Sequence, residues 1–348
     1  MWRDPNGRMI GAGAPLYVIA EIGLNHGGSL DRALAMVDAA ATAGASAVKL
    51  QSLTAEALVA PACPAPAHVS TPSLQGFFAQ FELDANAHAA VVARARARGL
   101  SVMTTPFAEG LIPMLEDAGF DAWKVASGDL TNDSLLLALA RTGRPLILST
   151  GMATLPEVVR AVRLVRDAGG AIAAVLHCVS AYPAPPEAQN LRALLTLADA
   201  VACPVGLSDH AADGLVSAVA AVALGAAVYE RHFVLADDED AIDRAVSSTP
   251  AQLRGIVDAC ADTVRRLGTG RKLCQPAESV NRTASRRGVY ARVALPAGHV
   301  IAPGDLIALR PETDVPASAL PALAGSTLFH PVAAGEPLAW ADVRRRAA

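Results

Sequence analysis

Between residues 17 and 267 the hydrophobic pattern switches repeatedly between two periods. Short apolar, β-branched runs alternate with stretches in which apolar residues recur every three or four positions. These are the signatures of buried strands and amphipathic helices. The strand-like runs are YVIAEIG (17–23), AVKLQS (47–52), SVMTTPF (101–107), AWKVA (122–126), PLILSTG (145–151), IAAVLHC (172–178), PVGLSDH (204–210) and AVYERHF (227–233). Helical periodicity follows each, as over 31–43, 155–168, 214–226 and 250–267, the last three with start signals in LPEVV, a Gly and STP. Gly44, Gly99, Gly119, Gly143 and Gly169 fall just past helix ends, where a left-handed cap is wanted. Eight such units in about 250 residues predict an α/β fold of the (β/α)8 TIM-barrel type. A doubly wound sheet is the competitor, but no GxGxxG follows the first strand, and GAGAP (11–15) reads as a flexible lead-in.

After Gly270 the pattern changes. Residues 271–288 are polar and irregular, and then VALPAGHVIAPGDL (293–306) and HPVAAGEPLAWADV (330–343) resemble one another. The organisation expected is a barrel domain over 1–272, a linker over 273–288 and a small β-rich domain over 289–348. A domain of that size is marginal alone, so it is expected to pack against its own barrel or a second subunit.

Composition narrows the function. The 348 residues are 52% hydrophobic and 18% charged, enough for a large core. A net charge of −4 argues against a nucleic-acid partner, and the absence of a Walker A run argues against a P-loop nucleotidase. The longest apolar stretch, 215–229, is shorter than the roughly 20 residues of a membrane span and reads as a buried helix. The opening MWRDPNGRM lacks a signal pattern, and five Cys without CxxC spacing read as reduced thiols, so a cytoplasmic location is expected.

Barrel active sites lie at the C-terminal ends of the strands. The polar residues there are Glu21, Asn25 and His26; Lys49 and Gln51; Thr104 and Thr105; Lys124, Ser127 and Asp129; Ser149 and Thr150; His177, Ser180 and Tyr182; Ser208, Asp209 and His210; and Glu230 and His232. Of 29 basic residues only Lys49, Lys124 and Lys272 are lysines, and two of these sit at strand ends. Two ammoniums among hydroxyls make a site for an anion with several oxygens. Ser127 and Thr150 have helix capping as the competing role. His210 and His232, on adjacent strands near Glu21 and Glu230, are candidates for holding a divalent metal with open positions. His26, His68, His88, His299 and His330 read as solvated or packed. The acidic run 237–243 reads as a solvated loop.

These segments resemble the sialic acid synthase family, the phosphoenolpyruvate-condensing synthases of nonulosonates. The resemblance is carried by AEIGLNHGG (20–28), AVKLQS (47–52), TTPF (104–107), WKVASGDLTN (123–132), PLILSTGMA (145–153), LHCVSAYPAP (176–185), VGLSDH (205–210), ALGA (223–226) and ERHF (230–233). The C-terminal segment resembles that family's antifreeze-like (SAF) domain. The resemblance implies condensation of phosphoenolpyruvate with an N-acylated mannosamine-type sugar aldehyde, assisted by Mn2+ or Mg2+. It implies that Lys49, Thr105, Lys124, Ser127, Ser149 and Ser208 hold phosphoenolpyruvate, with Ser180 nearby. It further implies that His210 and His232 ligate the metal, that Glu21 is the acid/base and that Glu230 supports them. Gln51, Asp129, Tyr182 and Asp243 would face the sugar. A homodimer is implied in which the SAF domain caps the partner barrel and brings Arg310 to the N-acyl group. The chain departs from the family pattern at NHGG (for NHNG), at AIDRAVS (241–247, for GPDHxAS) and at RPETD (310–314, for RPGxG), all on the sugar side. Legionaminate- and pseudaminate-type substrates stay open. The competing readings are an aldolase using free pyruvate, metal-dependent or through a Schiff base on Lys49 or Lys124, and a non-catalytic sugar- or anion-binding homologue.

Overall fold

The computed structural model describes residues 2–11, 13–63 and 73–344. The chain folds as two compact units, Met1–Gly268 and Thr269–Ala348.

In the first unit the apolar runs form strands β1 (Tyr17–Gly23), β2 (Ala47–Ser52), β3 (Ser101–Pro106), β4 (Ala122–Val125), β5 (Leu146–Ser149), β6 (Ile172–Cys178), β7 (Val205–Asp209) and β8 (Val228–Phe233). Each pairs in parallel with the next, and β8 pairs with both β7 and β1, which closes the barrel. Helices α1 (Leu30–Ala43), α2 (Ala85–Ala97), α3 (Ile112–Ala118), α4 (Asp133–Arg141), α5 (Leu155–Asp167), α6 (Ala193–Val201), α7 (Gly214–Ala223) and α8 (Pro250–Leu267) follow the strands in turn. Their starts are local chemistry. Ser29 and Asp84 accept from backbone N–H groups of the first turns of α1 and α2, and Thr154/Glu157 and Thr249/Gln252 close the starts of α5 and α8.

Period-two alternation sorts the strand residues. One set packs outward against the helices, with Trp123, Phe120, Leu136 and Tyr229 fully buried there. The other fills the lower barrel with Ile19, Met103, Ile147, Leu176 and Val228. Each such side chain contributes about 1.5–3 kcal/mol of burial. With apolar residues filling the lower interior, the polar strand ends are left to gather at the opposite mouth.

Two segments differ from expectation. Trp2–Arg3 pairs with Met9–Ile10 as an antiparallel hairpin, and Trp2 and Ile10 pack into the lower barrel. Asp4 in its turn is buried and accepts from Ser101 Oγ at 2.7 Å and Tyr17 Oη at 3.1 Å. Strands of two residues are too short to show a period. The apolar stretch 215–229 is not one buried helix: α7 ends at Ala223, and a turn leads into β8.

In the second unit the segment read as an irregular linker contains the helix Ser279–Ser285. It is preceded by a turn in which Gln275 N donates to Glu278 Oε2 at 2.7 Å. The two similar stretches are related by a shift of 37 positions, and they bond reciprocally. Leu295 N donates to Val332 O and Val332 N to Leu295 O. Gly298 N donates to Leu328 O and Gly335 N to Ala291 O. Ile301 N donates to Ser326 O and Leu338 N to Val289 O. Asp305 and Asp342 each accept from the backbone N–H three residues earlier, at 2.7 and 2.9 Å. Leu295, Ile301, Val332 and Leu338 form the core between the halves. Arg310 follows the strand Leu306–Leu309 and is exposed. Among the described residues no helix is long and apolar enough to cross a membrane.

Candidate active site

At the C-terminal mouth four buried charges alternate in sign. Lys49 Nζ lies 2.9 Å from Glu21 Oε2 and 3.6 Å from Glu230 Oε2, and Lys124 Nζ lies 3.6 Å from Glu230 Oε1. Hydroxyls complete the array. Lys49 donates to Thr105 Oγ1 at 3.3 Å, Lys124 to Ser149 Oγ at 2.5 Å, and Ser208 Oγ to Glu230 at 2.8 Å. Gln51 Nε2 donates to Glu21 Oε1 at 3.0 Å.

The charges set one another's protonation. Burial pushes the Glu230 carboxyl up, but the two ammoniums and the Ser208 hydroxyl outweigh it and hold the group at about 2. Burial pulls the Lys49 ammonium down, yet Glu21 and Glu230 together raise it. Lys124 is lowered by burial and by Lys49, against the pull of Glu230. One ammonium is thus firmly charged, and the other gives up its proton more readily.

Beside this array the His210 and His232 rings lie 5.5 Å apart, and Tyr182 stacks on His210 at 4.2 Å. His210 Nδ1 is 3.0 Å from Val179 O, and His232 Nδ1 is 3.1 Å from Asp243 Oδ2. Each ring therefore has its Nδ1 engaged by an oxygen and its Nε2 left for a ligand, the arrangement seen where histidines hold metals. The two imidazoles fit a divalent ion that takes its other ligands from water or substrate. Among the described residues no group of three or more His, Cys, Asp or Glu could hold an ion unaided. Gly23, at φ +55°, joins the two halves of the site. A Cβ there would stand 3.1 Å from Glu21 Oε1 and 3.5 Å from His232 Nδ1.

Ser127 Oγ accepts from Gly151 N at 3.0 Å, and a Cβ on Gly151 would collide with both Ser127 Oγ and Ser180 Oγ. These two serines thus meet at the end of β5. Neither Ser127 nor Thr150 caps a helix, since Thr150 Oγ1 donates to Leu176 O. Asp129 is half-buried in the turn Ser127–Asp129, its carboxyl raised by burial, with no bond to the charge array. Arg310 belongs to the second unit.

Several strand-end residues face away from the mouth. Thr104 bonds to Ser52, His177 to Gln189 O, and Asp209 to Ser217 and Tyr229, all outside the barrel interior. His26 and His88 are buried, His299 pairs with Asp305, His330 is exposed, and His68 lies outside the described residues. One inward residue was not picked out by sequence: Cys178 Sγ lies 3.6 Å from His210 Nδ1. Asn25, named at the end of the first strand but given no role, bridges the ends of β1 and β8. Parity held the signal for Cys178, because positions 178, 180 and 182 share one face of an extended chain.

The NeuB family matches residues 36–272 and the SAF domain residues 286–344. The N,N'-diacetyllegionaminic acid synthase of Legionella pneumophila is 34% identical over 96% of both chains. A pseudaminic acid synthase of Campylobacter jejuni is 29% identical over 94% of this chain and 97% of its own. The crystal structure of N-acetylneuraminic acid synthetase from Leptospira borgpetersenii superposes with a TM-score of 0.71 at 32% identity, covering 78% of this chain and 92% of that one. With a closed eight-stranded barrel, a C-terminal SAF domain and these relatives, the chain belongs to the NeuB family of sialic acid-type synthases.

Proposed function

We propose that this protein condenses phosphoenolpyruvate with the open-chain aldehyde of an N-acylated mannosamine-type sugar, releasing phosphate and a nonulosonic acid. The observation that carries the reading is the pair of buried ammoniums, Lys49 and Lys124, bridged by Glu230 beside two imidazoles. Phosphoenolpyruvate carries a carboxylate and a phosphate on one small frame. Two buried ammoniums and the hydroxyls of Thr105, Ser127, Ser149 and Ser208, with Ser180 adjoining, match that charge.

His210 and His232 are the residues that would hold Mn2+ or Mg2+. When bound, the ion polarises the aldehyde oxygen as a Lewis acid. Carbon 3 of the enol attacks the aldehyde carbon, and the aldehyde oxygen takes up a proton. Water adds to carbon 2 and loses a proton, and the carbon–oxygen bond to phosphate then breaks. Glu21, a carboxylate beside Lys49 and Gln51, is the group set to take the proton that the water loses and pass it to the aldehyde oxygen. Glu230, held ionised by the lysines, acts by charge and donates no proton near neutrality. Gln51, Asp129, Tyr182 and Asp243 line the sugar side. Arg310 of a partner subunit's SAF domain would complete it in a homodimer. A cytoplasmic location supplies the phosphoenolpyruvate.

The full-length protein should release phosphate from phosphoenolpyruvate in a Mn2+-dependent way. The first sugar to try is a deoxy diacetamido sugar, by likeness to the legionaminic acid synthases, followed by N-acetylmannosamine. Mass spectrometry identifies the acid formed. Consumption of free pyruvate, or borohydride trapping of pyruvate on Lys49 or Lys124, overturns the reading in favour of an aldolase. Phosphoenolpyruvate bound but never consumed across the sugar panel overturns it in favour of a binding protein.

A further inference from the structure

We infer that Asn25 and Asp243 are positioning residues for His232, acting together to orient its ring toward the metal. The inference rests on the reading above and adds to it a role that the family resemblance did not imply, since there Asp243 faces the sugar.

The Nδ1 of His232 is buried, and the oxygen that faces it is Asp243 Oδ2 at 3.1 Å. An imidazole on a strand end can rotate about its side-chain torsions, and a carboxylate at one nitrogen fixes both ring orientation and tautomer. Asp243, however, sits on no strand. It lies at the end of the acidic run that follows β8, just ahead of the turn Arg244–Val246. Something must hold it against the ring.

Asn25 does so. Its side chain is buried, and both its amide nitrogen and its amide oxygen are directed at this join. Nδ2 donates to Phe233 O at 2.8 Å, at the end of β8, and to Ser247 Oγ at 3.0 Å. Oδ1 accepts from Asp243 N at 2.9 Å. Ser247 Oγ in turn donates to Asp243 O at 2.8 Å. Both backbone groups of Asp243 are therefore pinned, one by Asn25 directly and one through Ser247. Ser247 is itself paired in register with His232. The bridge needs a donor pair and an acceptor on one short side chain, which an amide supplies and a carboxylate or aliphatic group does not. Asn25 thus ties the end of β1 to the segment beyond β8, and the Asp243 carboxylate is delivered to His232.

The test is Mn2+ affinity of the full chain, read without turnover from the electron paramagnetic resonance signal of free Mn2+. It is paired with KM for the sugar and kcat at saturating Mn2+. Asp243→Asn preserves size on a half-buried side chain and keeps the fold. Asn25→Ala removes the remote member. Each is expected to weaken Mn2+ binding about 10- to 100-fold, the usual effect of losing a group that orients a ligating histidine. The double variant is expected to be little worse than the poorer single one, because both act on one ring. A folded Asp243→Asn protein that binds Mn2+ like the wild type but has a raised sugar KM overturns the inference and returns Asp243 to the sugar. A wild-type protein that binds no Mn2+ overturns the functional reading together with it.

Discussion

Glu230 illustrates how one residue governs a site through charge. Its carboxylate stands between the two ammoniums, and its pKa falls from 4.5 to about 2 on folding. A carboxyl whose pKa is depressed in the folded state stabilises that state fully above its unfolded value, and the stabilisation is lost as pH falls through the folded value. Acid unfolding should therefore steepen between pH 4.5 and about 2, and the Glu230→Gln variant should lack that component. A urea titration repeated across this range checks it. The same variant leaves two lysines facing each other across a neutral amide, so its stability near pH 7 should also fall. The residue scale was the most legible in sequence. Scarce lysines, paired histidines and hydroxyls at strand ends were enough to expect Lys49, Lys124, His210 and His232 at one mouth, where the structure gathers them. Which member of an adjacent pair turns inward was harder. Thr105 faces the site and Thr104 does not, because only one parity of β3 points into the barrel.

At the scale of elements, the outer faces of β7 and β8 explain why their inner faces hold still. Ser208 and His210 point inward while Asp209 points out; Glu230 and His232 point inward while Arg231 points out. Asp209 Oδ2 accepts from Ser217 Oγ at 2.5 Å and Tyr229 Oη at 2.7 Å, with Arg231 Nη1 at 3.4 Å. Arg231 also donates to Ser248 Oγ at 2.6 Å and Ala211 O at 2.9 Å. Replacing Arg231 by Met leaves a buried carboxylate without its counter-charge, a loss of about 3–5 kcal/mol. The urea midpoint should fall accordingly, with an unchanged slope if the unfolded state is unaltered. The eight strands were readable because each apolar run is long enough to show its period and is followed by a capped helix. The N-terminal hairpin and the helix Ser279–Ser285 were not. The first rests on tertiary packing of Trp2 and Ile10, and the second on a local turn set within a polar, exposed segment.

At the scale of the molecule the two compact units carry separate cores, the first within and around the barrel, the second between the two halves of the SAF domain. A chain ending at Arg287 keeps the whole first unit. It should retain the circular dichroism of a folded α/β protein while losing sugar turnover, as the proposed role of Arg310 requires. Full activity in that truncated chain would remove the SAF domain from the reaction.

The reciprocal bonds of that domain have a further meaning. Leu295 meets Val332, Gly298 reaches Leu328 as Gly335 reaches Ala291, and Ile301 reaches Ser326 as Leu338 reaches Val289. This is the rule of a two-fold interface, in which position i of one copy meets position j of the other and j meets i. Here both copies lie on one polypeptide. A single half falls below the roughly 40 residues at which a chain folds alone, and part of its backbone bonding is completed by its twin. The domain has the architecture of a two-fold dimer of short, similar peptides joined on one chain, its recognition surface folded inward.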